Sequence, residues 1–117
     1  MLHVYGLKNC DTCRKALKWL AAEGARHEFH DVRADGLEAA DIARWVASAG
    51  WEQLLNRRGT TWRKLDDADK VDVDEASAQT LMLAHPALIK RPVFEAGNRV
   101  VVGFKAAEQA EVAELIG

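Results

Sequence analysis

The sequence predicts an α/β fold: strand–helix–strand, a helical middle, then strand–strand–helix. Three observations predict it. Short strand-like apolar runs lie near both ends of the chain, a helical apolar face follows the first run at once, and helix-spaced apolar residues with capping signals fill the middle.

Leu2–Gly6 (LHVYG) alternates and gives the first strand, followed by a polar loop at residues 7–9. Cys13, Ala16, Leu17 and Leu20 then fall at i, i+3, i+4 and i+7, one face of a helix that Gly24 can stop. Residues 27–32 (HEFHDV) read as a second strand, completing a βαβ unit whose strands should be parallel. Ile42, Trp45, Val46 and Ala49 repeat the helical spacing up to Gly50. A further helix starts at Asp74 as N-cap, with Val73 and Ala78 as a hydrophobic staple, and stops before His85-Pro86. Between them, residues 51–72 are mixed and contain LLNRRGTTWRKL. Residues 93–95 and 99–102 flank Ala96-Gly97-Asn98, a hairpin signal, and Val112, Leu115 and Ile116 mark a closing helix. This is the thioredoxin-like order with a helical insertion. One domain, 1–117, is expected, with the insertion at approximately 36–84.

Composition narrows the function classes. Hydrophobic residues make up 49% and charged ones 29%, as in ordinary globular proteins. A net charge of −2 and a pI near 6.1 give no reason to expect nucleic acid or a membrane surface as partner. No apolar run is long enough to span a bilayer and the N-terminus lacks a signal-peptide layout, so a cytoplasmic location is expected.

Both cysteines, Cys10 and Cys13, lie in NCDTCRKALKWL, where the first strand gives way to the helix. A bridge between them would close a tiny loop and restrain little of the unfolded chain, so stapling explains nothing. Zinc needs four ligands, and the usual second pair is absent; His27 and His30, in one expected strand, face nearly opposite sides. No metal and no bound cofactor are therefore expected. Cys13 lies on the apolar face, where burial as a small hydrophobe and a redox role stay equally open. Cys10 sits at the first turn, where free N–H groups and the helix dipole favour a thiolate and could cradle an anion. Asp11 opposes this slightly, and Arg14 and Lys15 offset it. Cys10 is the candidate nucleophile and Cys13 a possible resolving thiol. The four tryptophans read as packing groups, His3, His30 and His85 as surface or satisfied polar groups, and Glu108, Glu111 and Glu114 as a solvated helix face.

GLKNCDTCRKALKWL, LLNRRGTTWRKL, LIKRP and VVVGF, in this order and spacing, resemble the arsenate reductase-related family (ArsC/Spx/YffB type), most closely its YffB-type branch. The resemblance implies a thioredoxin-like fold with a helical insertion and a glutathione-dependent thiol reductase role. By it, Cys10 matches the nucleophile, Arg91 an arginine that contacts the oxyanion, Pro92 the cis-proline beside the active cysteine, and Arg58 the arginine of the Spx and YffB branches. Lys8, just before Cys10, carries a charge that would help a thiolate. Arsenate reductases of the family have a further arginine in the last strand. Here that strand reads Val100-Val101-Val102, with Arg99 nearer the turn, so an arsenate clamp is incomplete. The implied partners are glutathione as co-substrate, or a glutaredoxin- or thioredoxin-type reductant. The alternative is a Spx-like regulator that binds RNA polymerase, with Cys10 and Cys13 as its redox switch.

Overall fold

The structure, a computed structural model, describes residues 1–116. In chain order its elements are β1 (Leu2–Gly6), α1 (Asp11–Ala22), β2 (His27–Asp31), α2 (Ala39–Ala49), α3 (Trp51–Leu54), α4 (Thr60–Arg63), α5 (Asp67–Lys70), α6 (Glu75–Ala84), a 3-10 turn at Pro86–Leu88, β3 (Val93–Ala96), β4 (Arg99–Val102) and α7 (Ala106–Ile116). They form two compact units: Met1–Gly36 with Arg91–Gly117, and Leu37–Lys90.

The first unit holds a four-stranded sheet in the order β2-β1-β3-β4. β1 runs parallel to β2 and antiparallel to β3, which pairs antiparallel with β4. The α/β element order expected from the sequence is thus the observed one. Leu2, Val4, Phe94 and Val101 point to one sheet face and meet Ala16 and Leu20 of α1 and Val112 of α7 in a single buried cluster. Side chains as large as Leu20 and Phe94, fully buried here, each contribute on the order of 1.5–3 kcal/mol relative to an exposed position.

Turn chemistry fixes where these elements end. Gly24 adopts φ 66°, and its N–H and that of Ala25 reach back to the carbonyls of Ala21 and Leu20. That is the Schellman closure of α1, which a left-handed residue permits. Gly97, with φ 60°, opens the two-residue loop between Ala96 and Arg99, which are paired; a positive φ at the first loop position fits a type II′ hairpin.

In the second unit α2 packs against α3 and α6. Ile42, Trp45 and Val46 of α2, Leu54 of α3, and Ala78 and Met82 of α6 are buried. Asp74 caps α6 as expected. Its carboxylate accepts from the Ser77 N–H at 2.9 Å while its own N–H donates to Ser77 Oγ at 2.9 Å. The mixed stretch after Trp51 resolves into three helices of four residues each. A Leu55–Ile89 bridge ties the stretch back to the segment after the 3-10 turn.

Candidate functional site

The site grows from the end of β1. After Gly6 the chain turns through residues 7–9, and the Cys10 N–H closes that turn on the Leu7 carbonyl at 3.2 Å. Cys10 is the N-cap of α1, in extended conformation, and its own carbonyl accepts the first helical bond from Arg14 N–H at 3.0 Å. The half-buried Cys10 side chain therefore stands at the positive end of a twelve-residue helix.

Burial alone would raise the Cys10 pKa, but the balance goes the other way. The Cys13 N–H, the Cys13 thiol and the Arg91 guanidinium, through hydrogen bonding and charge, hold it below its ordinary value of 9.0. Cys13 is only 1% exposed. Burial pushes its pKa up to about 12, against the opposing pull of the Leu7 N–H, and the neighbouring Cys10 adds to the rise. One thiol is prepared to ionise and its neighbour to keep a proton.

Arg91 arrives from the start of β3, where the Arg91–Pro92 peptide bond is cis, as the resemblance implies. Because β3 runs antiparallel to β1, with Val93 opposite Tyr5, Pro92 and Arg91 fall at the end of the sheet from which the cysteine loop departs. Val102 pairs with Val93 at that same end, whereas Arg99 pairs with Ala96 at the hairpin end. The Arg99 guanidinium lies 4.0 Å from Glu114. β4 thus brings no guanidinium to the cysteine end.

Two positions that sequence reasoning passed over frame the loop. Asp31, buried at the end of β2, accepts from the backbone N–H groups of Lys8 (3.0 Å), Arg33 (2.9 Å) and Ala34 (2.8 Å). Those donors, Ala34 first, hold its carboxyl below the usual range, with a smaller contribution from the Lys8 charge. The exposed Lys8 ammonium therefore has Asp31 as an electrostatic neighbour, and the Lys8 carbonyl accepts from Arg14 Nε at 3.1 Å. The other position is Gly6: a Cβ there would lie 2.5 Å from the Cys13 sulfur, so a glycine is what lets Cys13 close against the strand. A carboxylate followed by Val-Arg-Ala-Asp-Gly reads as an ordinary turn, and only the loop it faces reveals its task.

A thiol at the N-cap position and a guanidinium beside it together favour negative charge on the Cys10 sulfur, with a cis-proline at the head of the neighbouring strand. The ArsC family model matches residues 5–112. The chain belongs to the ArsC family. Among solved structures, the YffB protein is 50% identical, with 97% of each chain covered and a TM-score of 0.90. An arsenate reductase (ArsC) related protein from Brucella melitensis is 46% identical over 97% of this chain and 94% of that one, with a TM-score of 0.77. An uncharacterised protein of Haemophilus influenzae is 43% identical over 92% of this chain and 95% of its own. The global transcriptional regulator Spx of Streptococcus agalactiae is 27% identical, covering 92% of this chain and 80% of that one.

Of the candidate site residues, Lys8, Cys10, Cys13, Arg91 and Pro92 all belong to the first unit, and Cys10, Cys13 and Arg91 act on one another there. Arg58 belongs to the second unit, in the exposed loop before α4. Its N–H donates to Asn56 Oδ1 at 3.0 Å and its carbonyl accepts from Arg63 Nη1 at 3.2 Å. Among the described residues, no helix is long and apolar enough to cross a membrane.

Proposed function

We propose that this ArsC-family protein is a thiol–disulfide oxidoreductase that uses glutathione. The observation that carries the reading is the opposed chemistry of the two thiols: Cys10 at the helix N-terminus with its pKa lowered, and Cys13 buried behind it with its pKa raised. The Cys10 thiolate attacks the glutathionyl sulfur of a mixed disulfide, forming a Cys10–glutathione disulfide and expelling the substrate thiolate. A second glutathione thiolate then attacks the glutathionyl sulfur of the adduct, releasing oxidised glutathione and the Cys10 thiolate. Alternatively Cys13 gives up its proton and attacks Cys10, releasing reduced glutathione and leaving a Cys10–Cys13 disulfide for a glutaredoxin- or thioredoxin-type reductant. Lys8 and Arg91, and on the family resemblance Arg58, are the cations assigned to the carboxylates of glutathione or to an oxyanion. Arsenate is the less favoured substrate, because β4 supplies no guanidinium at the cysteine end. A reducing compartment such as the cytoplasm suits two free thiols.

A second reading, a redox-controlled regulator that binds RNA polymerase, is favoured by one observation: the likeness to Spx spans most of the chain, and the thiol pair sits in contact. A mixed-disulfide reduction assay with glutathione, followed by intact-protein mass spectrometry, separates the two. The enzyme reading expects turnover in wild type, none in Cys10→Ser, and a glutathione adduct that accumulates in Cys13→Ser. Capture of polymerase by the oxidised chain alone, without turnover, would transfer the assignment to the regulator. Equal turnover in wild type and Cys13→Ser with no adduct would leave a one-cysteine mechanism.

A further inference from the structure

The sheet face opposite α1 carries a second cluster that the thiol chemistry does not use. Parallel pairing sets His3 beside Glu28 and Tyr5 beside His30, and the twofold alternation of each strand puts all four on the face turned away from Leu2 and Val4. His3 Nδ1 lies 3.0 Å from His30 Nε2, and Glu28 Oε1 lies 3.9 Å from that same His30 nitrogen. One ligating atom from each of the three residues falls within 4.8 Å of the others. The Tyr5 ring stacks on His30 with centroids 4.7 Å apart and an interplanar angle of 18°, which restrains the imidazole. Glu95, the cross-strand neighbour of His3 on β3, is a buried carboxylate on the same face. His27, in the same strand as His30, is turned elsewhere and bonds the Ala25 carbonyl at 2.9 Å. The two histidines, read from the sequence as surface or satisfied polar groups, bond one another.

We propose that His3, Glu28 and His30 form a binding site for a borderline divalent transition-metal ion such as Zn²⁺. Two imidazole nitrogens and a carboxylate are a donor set such ions take, and three protein ligands leave a fourth position open. The present 3.0 Å contact is a shared hydrogen bond between the rings. Nitrogens held about 2.0–2.1 Å from one tetrahedral ion stand roughly 3.3 Å apart, so the ion replaces that shared proton after the rings separate by a few tenths of an ångström. The Glu28 side chain, 58% exposed, is free to swing toward the ion, while the His30 side chain is 29% exposed and reachable from solvent. The two strands hold the histidines, and the carboxylate closes on the ion.

The thiols also bind such ions, so the test removes them. Co²⁺ and Zn²⁺ are titrated into the full chain carrying Cys10→Ser and Cys13→Ser, with the Zn²⁺ titration repeated on wild type by ¹H–¹⁵N NMR in case the serine variant does not fold. The expected result is one ion per chain, cobalt bands without thiolate charge transfer, and shifts at His3, Glu28 and His30. Glu28→Gln should weaken binding about tenfold or more and His30→Ala should abolish it, on the scale that lost metal-site partners usually cost. Glu28 is exposed, so its variant decides the matter should His30→Ala unfold. No binding by the thiol-free chain, affinity unchanged in Glu28→Gln, or zinc shifts confined to the Cys10 loop would overturn the site.

Discussion

The mouth of α1 and the wall behind it lie one helical turn apart, yet they treat the same functional group in opposite ways. At the mouth, Cys10 is half-buried and meets N–H dipoles, a thiol proton and a guanidinium, all of which favour a negative sulfur. At the wall, Cys13 is packed against Gly6 and shut off from water, and burial favours the neutral thiol. Burial disfavours charge at both sulfurs; at Cys10 the donors outweigh it and at Cys13 they do not. Reactivity here is set by what surrounds each sulfur.

The largest expected effect comes from breaking the frame that separates the two environments. Asp31→Ala leaves three backbone N–H groups without their acceptor, and a lost buried acceptor costs about 1–3 kcal/mol. Urea unfolding should show a loss of about 2–3 kcal/mol, and Cys10 alkylation at neutral pH should slow as the loop slackens. In Asp31→Asn one oxygen remains, so a smaller loss is expected. The lowered Asp31 pKa adds a pH signature: the carboxylate's stabilisation is present above its unfolded value of 3.8 and disappears as pH falls through the lower folded one.

Next in size is Arg91→Gln, which keeps a donor and removes the charge. Removing that charge takes away one of the causes that hold the Cys10 pKa down, so the thiolate population and the alkylation rate near neutrality should fall. An unchanged rate would mean that the helix donors alone ionise Cys10.

A pH dependence of opposite sign separates the two thiols. Below pH 9 the unfolded chain keeps the Cys10 proton that the folded chain has released, so stability rises with pH there. Between about 9.0 and about 12 the folded chain keeps the Cys13 proton that the unfolded chain has lost, so stability falls. Denaturation midpoints against pH should lose the rising limb in Cys10→Ser and the falling limb in Cys13→Ala.

Much of the architecture was legible because it is periodic. β1 and α1 announce themselves through twofold and helical spacing, and Gly24 and Gly97 mark the end of α1 and the β3–β4 turn, where a positive φ is required. α3, α4 and α5 were not legible, since a helix of four residues never completes the repeat by which a helical face is recognised. At the site, Cys10 could be placed from the strand-to-helix transition alone. Arg91 could not, because antiparallel pairing of a distant strand brings it there; only the likeness of LIKRP to a family motif selected it. Asp31 and the His3–His30 contact depend on strand register, which the sequence leaves open.

If the two thiols are electrostatically distinct, pH-dependent alkylation read by peptide mass will separate them. Reduced wild-type protein is treated briefly with iodoacetamide from pH 5 to 10, and label is counted separately at Cys10 and Cys13. Half-maximal labelling of Cys10 is expected below the ordinary thiol value of 9.0, with Cys13 unlabelled throughout. Half-maximal labelling of Cys10 at or above 9.0, or Cys13 labelled alongside it, would mean that the two sulfurs do not sit in opposed environments.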